Sequence, residues 1–146
     1  MRISILAILL LLPALACAQI TASLNYDKQK DVLELIVGNE SRDSTLAVFD
    51  LYGGTAYSST VRVRYGKIGE RDKDFVVRLR EEQRGIMEIA PLQTKSITCA
   101  WFTRLRARGY RFFEVSYDVV YAFRDSLKVG KLKSCKGKLK FEVEEP

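Results

Sequence analysis

The side chains best suited to chemistry in this 146-residue sequence are cysteines, acids, arginines and loop tyrosines, because histidine is absent. That absence removes the Ser-His-acid triad, the Cys-His pair and every histidine-ligated metal site together. No G-x-S-x-G elbow, P-loop or dinucleotide fingerprint is present, and no cofactor is implied. Cys99 and Cys135 form an even pair once Cys17 is set aside with the N-terminal segment. In an oxidising compartment such a pair is expected to form a disulfide. It would close a loop of 37 residues and contribute roughly 3–4 kcal/mol by loop entropy. A redox pair would show C-x-x-C spacing, and a zinc site needs more than two thiols. Two carboxylates suffice for glycoside hydrolysis, and Asp50, in the apolar run "LAVFDLY", is the acid whose burial would raise its pKa. Its plainer reading is an outward-facing residue at a strand end. Glu70, Asp72 and Asp74 in "GERDKD" are interleaved with Arg71 and Lys73 and lack EF-hand spacing, which reads as a solvated turn.

Binding residues are easier to find than catalytic ones. Arg104, Arg106 and Arg108 fall in "RLRARGYR", with Arg111 just beyond, around an expected turn. Lys128, Lys131, Lys133, Lys136, Lys138 and Lys140 fall in the last two expected strands. Residues 19–99 balance twelve basic against twelve acidic side chains, whereas 100–140 carry eleven basic against three acidic. Arginine suits a bidentate grip on phosphate or carboxylate. Lysines along a strand edge also guard against aggregation, without any ligand. "LYGGTAYSST" sets Tyr52 and Tyr57 around Gly53 and Gly54, a mixture of rigid aromatics and small residues that binding loops use. A simple hairpin turn with boundary tyrosines explains the same letters. Asn39-Glu40-Ser41 satisfies the N-glycosylation pattern, although Asn and Ser have turn-forming reasons to be there.

The compartment follows from the first 18 residues. Arg2, an apolar core from Ile3 to Leu12, Pro13 and a small-residue stretch read as an export signal. This ten-residue stretch, Ser4 its one polar member, falls short of the ~20 that span a bilayer, and no later run reaches that length. Cleavage after Ala18 leaves a periplasmic or secreted domain over 19–146. Cleavage before Cys17 would leave a lipid-anchored one.

Strands must position these residues, because two-residue alternation recurs while helical periodicity is nearly absent. Val61, Val63 and Tyr65 alternate with Arg62 and Arg64; Phe75, Val77 and Leu79 alternate with Arg78 and Arg80. Phe113 to Phe123 gives one long strand, and Leu139, Phe141 and Val143 alternate with Lys138, Lys140 and Glu142. Further strands are expected around 21–26, 32–38, 46–52, 86–90, 94–102 and 126–133. Turn signals such as "GNESRDS", "YGGT", "EEQRG" and "KSCKG" separate them. The expectation is an all-β, antiparallel two-sheet sandwich, with a barrel as the alternative.

"LELIVGNESRDSTLAVF", "IAPLQTKSITCAWF" and "GYRFFEVSYDV" resemble, in this order, three parts of exported bacterial immunoglobulin-like domains. These are a strand–turn–strand, a Pro-containing turn into a strand, and a Gly-Tyr lead-in to a central strand. The resemblance implies an immunoglobulin-like fold and carries no catalytic residues. Trp101 follows Cys99 by only two residues, a departure from the antibody pattern in which the tryptophan sits on a separate strand of its own between those of the cysteines.

The expected function is a non-catalytic exported binding module. Its partner is a protein or an anionic envelope component: a lipid headgroup, a lipopolysaccharide phosphate or an acidic glycan. An export signal argues against nucleic acid. The competing readings are an inhibitor or immunity protein of an exported enzyme and, further off, a carboxylate-based hydrolase.

Overall fold

The structure, a computed structural model, describes residues 19–49, 59–67, 72–78, 86–125 and 128–144. Its strands are β1 (Ile20–Asp27), β2 (Val32–Asn39), β3 (Thr45–Val48), β4 (Thr60–Gly66), β5 (Lys73–Arg78), β6 (Met87–Ile89), β7 (Thr94–Thr98), β8 (Phe112–Asp125), β9 (Lys128–Val129) and β10 (Lys133–Glu142), with one helix, α1 (Ala100–Ala107), between β7 and β8. Two antiparallel sheets result. The small sheet runs β1-β2-β7, and the large sheet runs β5-β4-β8-β3-β6 with β9 and β10 also on β8.

Alternation explains the layers. Ile20, Ala22, Leu33, Leu35 and Val37 project from the small sheet into the core. Leu46, Val48, Val61, Val63, Val115 and Val119 meet them from the large one. Strand β8 carries partners on both sides. β10 pairs with Phe112–Tyr121 on one side; β4 pairs with Phe112–Asp118 and β3 with Tyr121–Arg124 on the other. Where β3 stops and β4 begins, buried Ser59 fills the gap: its Oγ accepts from the Val120 N–H at 2.8 Å and donates to the Phe49 carbonyl at 3.0 Å.

Three polar contacts tie the layers. Gly137 faces Tyr117 across the β8–β10 pair, and the phenol ring lies where a side chain at 137 would be. From there the Tyr117 hydroxyl donates to the Ala22 carbonyl on β1 at 2.6 Å. Asn39, 1% exposed, donates through Nδ2 to the Ser44 and Ile89 carbonyls at 2.8 and 3.0 Å. Its Oδ1 accepts from the Ser41 N–H at 2.9 Å. The β1–β2 turn is held by Asp27, which accepts from the Gln29 and Lys30 N–H groups, and by Asp31 in the left-handed region at φ 52. Tyr26 donates to the Asp31 carboxylate at 2.6 Å, and Arg106 Nε reaches the same carboxylate at 3.2 Å from α1.

The structure corrects the sequence reading in three places. The strand expected over 94–102 ends at Thr98, and the "RLRARG" turn is mostly helix. Phe102 and Leu105, three residues apart on one helical face, are buried, which a strand would have split between faces. The helix closes as a Schellman motif: Gly109 at φ 86 donates to the Arg106 carbonyl, and Tyr110 donates to the Leu105 carbonyl. The strand expected over 126–133 is only Lys128–Val129 before β10 begins.

The third correction is the Cys99–Cys135 bridge, which is not formed: Cys99 is a free, buried thiol. Its N–H donates to the Leu33 carbonyl at 2.9 Å, at the end of the sandwich where Tyr26, Phe102, Phe113 and Phe141 cluster with ring centroids 4.9–5.9 Å apart. Cys135 lies six residues back along β10 from Phe141, roughly 20 Å at ~3.3 Å per residue. A disulfide needs Cα atoms within about 7 Å.

Replacing Asn39 by Ala removes three hydrogen bonds and leaves two inward carbonyls without a donor. Stability is expected to fall by about 1–3 kcal/mol, read as a lower urea midpoint at unchanged m value.

Candidate functional site

The arginine group divides into two roles. Arg106 is structural: besides Asp31, it donates through Nη1 to the Tyr110 carbonyl at 2.9 Å, and its side chain is 12% exposed. Arg111 is also built in, donating through Nε to the Val143 carbonyl at 3.0 Å and pairing with Glu142 at 3.6 Å. Arg104 and Arg108 are exposed, on the last turn of α1 and at its C-cap, where the helix dipole favours cations. The four arginines therefore do not make one patch. Cys17, Asp50, Tyr52, Tyr57, Glu70 and Arg71 lie outside the described residues.

Three of the six lysines converge, whereas Lys133 has the opposite parity on β10 and Lys131 lies in the β9–β10 connection. On β10, Lys136, Lys138 and Lys140 are exposed and share the solvent face of the large sheet, because they sit two residues apart. Register sets Lys136 beside Asp118 and Thr60, Lys138 beside Ser116 and Arg62, and Lys140 beside Glu114 and Arg64. This joins the lysines to Arg62 and Arg64 of β4, giving five cations around the two carboxylates of β8. The alternation of Arg62 and Arg64 with Val61 and Val63 marked these arginines as solvent-facing. Their convergence with the lysines needed the strand order, which no local pattern contains.

Ion pairs occupy part of the face. Lys138 Nζ lies 2.9 Å from Glu114, Lys136 lies 3.8 Å from Asp118, and Arg64 lies 3.5 Å from Asp72. Among the described residues no carboxylate comes within 4.0 Å of Arg62 or Lys140, although Glu114 stands opposite Lys140 in the ladder. Asp118 Oδ1 is buried without a hydrogen-bond partner, so the carboxylate at this edge of the face is incompletely satisfied. Next to it, Arg62, Arg64, Asp72, Asp74 and Glu114 line a shallow groove of about 430 Å³. Such a face can hold an extended anion by several weak contacts, with Arg62 supplying planar donors beside the Ser116 hydroxyl.

The Lys138 hydrogen bond holds the Glu114 carboxyl below its usual value of 4.5, helped by the charges of Lys138, Arg64 and Lys140 and opposed by partial desolvation. Burial, then the bond to Asp31, pushes Tyr26 up to about 12. Burial also pushes Cys99 up to about 12, so this thiol is a core residue and a poor nucleophile. Among the described residues no helix is long and apolar enough to cross a membrane.

Two predictions follow from these roles. Arg106→Ala should cost about 1–2 kcal/mol in thermal unfolding, at the low end for charged hydrogen bonds because Asp31 is 42% exposed. Arg108→Ala should stay within about 0.5 kcal/mol of the parent. The second prediction concerns pH. Ionised Glu114 is favoured in the folded state, so its contribution is present above pH 4.5 and is lost as pH falls through its lowered pKa. Lys138→Met should move the Glu114 titration, followed by carboxyl carbon NMR, up toward the ordinary value and flatten that part of the stability profile.

No family model matches this chain, and no curated protein matches it. Among solved structures it is similar to a protein from Archaeoglobus fulgidus at 8% sequence identity, over 87% of this chain and 97% of that one, with a TM-score of 0.33. A likeness that distant carries no argument about what the chain does.

Proposed function

We propose that this chain is a non-catalytic exported binding module of immunoglobulin-like type that meets an anionic partner through the solvent face of its large sheet. The immunoglobulin-like reading rests on strand order. If β3 and β4 count as one interrupted third strand, the first, second and fifth major strands form one sheet. The third, sixth and seventh form the centre of the other, with β5, β6 and β9 added to it, and the shared part is the order A-B-E against C-F-G. Export rests on the N-terminal signal.

The observation that carries the binding reading is the convergence of Lys136, Lys138, Lys140, Arg62 and Arg64 on one face, where Arg62 and Lys140 form no ion pair with any of the described residues. Neighbouring cations on β10 are about 6.7 Å apart, and β4 lies about 9.6 Å across the sheet from β10. That grid suits repeated phosphates or carboxylates better than one small ligand. Each basic residue near an anionic surface contributes about 1 kcal/mol. Flotation of the mature domain with vesicles containing phosphatidylglycerol, beside retention on an immobilised acidic polysaccharide, tests the reading. The parent should bind at low salt and release as ionic strength rises. The double variant Arg62→Glu/Lys140→Glu should bind at least about tenfold more weakly. Equal binding by parent and variant to both materials would remove this face from the reading.

A further inference from the structure

Among the described residues, the small sheet is tied to the large one at its β1 edge, and no strand is bonded to its β7 edge. At β1, the outward carbonyl of Ala22 is taken by Tyr117. At β7, the hydrogen-bonding parity can be read from both ends: Asn39 donates to Gln93, and Cys99 donates to Leu33. Odd-numbered residues of β7 therefore bond to β2, and the N–H and C=O groups of Thr94, Ser96 and Thr98 point away from the sheet. All three residues are exposed. The strand contains no proline or glycine and no bulge in its pairing with β2.

We propose that β7 pairs with β7 of a second copy of this chain, antiparallel across a two-fold axis at Ser96, to make a continuous six-stranded sheet. The register is self-complementary. Outward groups at 94, 96 and 98 are spaced symmetrically, so Thr94 bonds Thr98 of the second copy and Ser96 bonds its own symmetry mate. Lys95 is the one charge on the strand, and an inward-pointing charge is a device that commonly guards an edge. In this register it stands opposite Ile97 of the second copy, so the two lysines do not meet.

Charge distribution favours the same place. The chain has a net charge of +6 and its copies repel one another where the cations lie. The outer face beside β7 is instead made of Thr21, Ser23, Asn25, Ile36, Gly38, Thr94, Ser96 and Thr98, with the carboxylates of Glu34 and Glu40 among them. Leu92, 61% exposed and held at φ 59 in the Pro91–Leu92 turn, stands two residues before this edge and offers an apolar contact at its mouth.

Sedimentation velocity on the mature domain over a range of concentrations, at high salt to suppress the cationic face, tests the proposal. A concentration-dependent doubling of mass is expected. Ser96→Pro removes an outward N–H while leaving the ladder to β2 intact, so the variant should stay monomeric and still unfold cooperatively. Ser96→Cys should form a covalent dimer under mild oxidation, whereas Ser23→Cys, on the far strand of the same sheet, should not. A parent that remains monomeric at every concentration overturns the proposal, as does an unchanged dimer in Ser96→Pro or equal cross-linking of the two cysteine variants. Binding of an added extended peptide by a monomeric parent would also overturn it. Arg62→Glu/Lys140→Glu should dimerise like the parent, which separates this result from the binding test.

Discussion

Every strand of the large sheet is bonded to β8 or to a strand that is, so Phe112–Asp125 must find partners for its backbone on both sides along fourteen residues. One neighbour, β10, covers ten of those positions without a break. The other side needs two strands, β3 ending just before Phe49 and β4 beginning just after Ser59. An unpaired Val120 at that seam would cost as much as a lost hydrogen bond in the core. The Ser59 hydroxyl, small enough to be fully enclosed, supplies both a donor and an acceptor there. A side chain thus does the work of the missing residue of ladder.

The same strand decides where the charges go. Its odd residues fill the core and its even residues, Glu114, Ser116 and Asp118, face water between the lysines of β10 and the arginines of β4. The carboxylates hold the cations apart without neutralising all of them. Exposed pairs of this kind add little to stability. The face is better understood as a pattern of sites kept at strand spacing than as a brace for the fold. The bracing comes from Tyr117, Asn39 and the Tyr26–Asp31–Arg106 chain, all of which link separate layers.

Most strands were legible in the sequence because alternation is a local property. Val61–Tyr65, Phe113–Phe123 and Leu139–Val143 show their inward faces without reference to anything distant. The helix was not, because "TRLRARG" alternates arginine with other residues and imitates a strand while Phe102 and Leu105 carry a helical spacing of only one interval. Gly109 was the available signal, since a glycine closing a basic segment suits a Schellman cap. The disulfide expectation failed for a different reason. Counting cysteines says nothing about which end of the sandwich each one reaches, and Cys99 joins the aromatic end while Cys135 lies most of a strand length away. The site was half legible for a related reason: the lysines lie on one strand, but their arginine neighbours are more than seventy residues earlier and meet them only through β8.

Asn39 lies within a sequence that a eukaryotic oligosaccharyltransferase would accept, yet in the folded chain its amide nitrogen is spent on two carbonyls and shielded from water. That enzyme acts on nascent chains, before the β2–β3 corner closes. A sugar added at that moment would occupy the space where the two sheets are joined. The choice of production host is therefore a structural matter for this protein: secretion through a glycosylating pathway would trap chains that a host without that enzyme leaves free to close the corner.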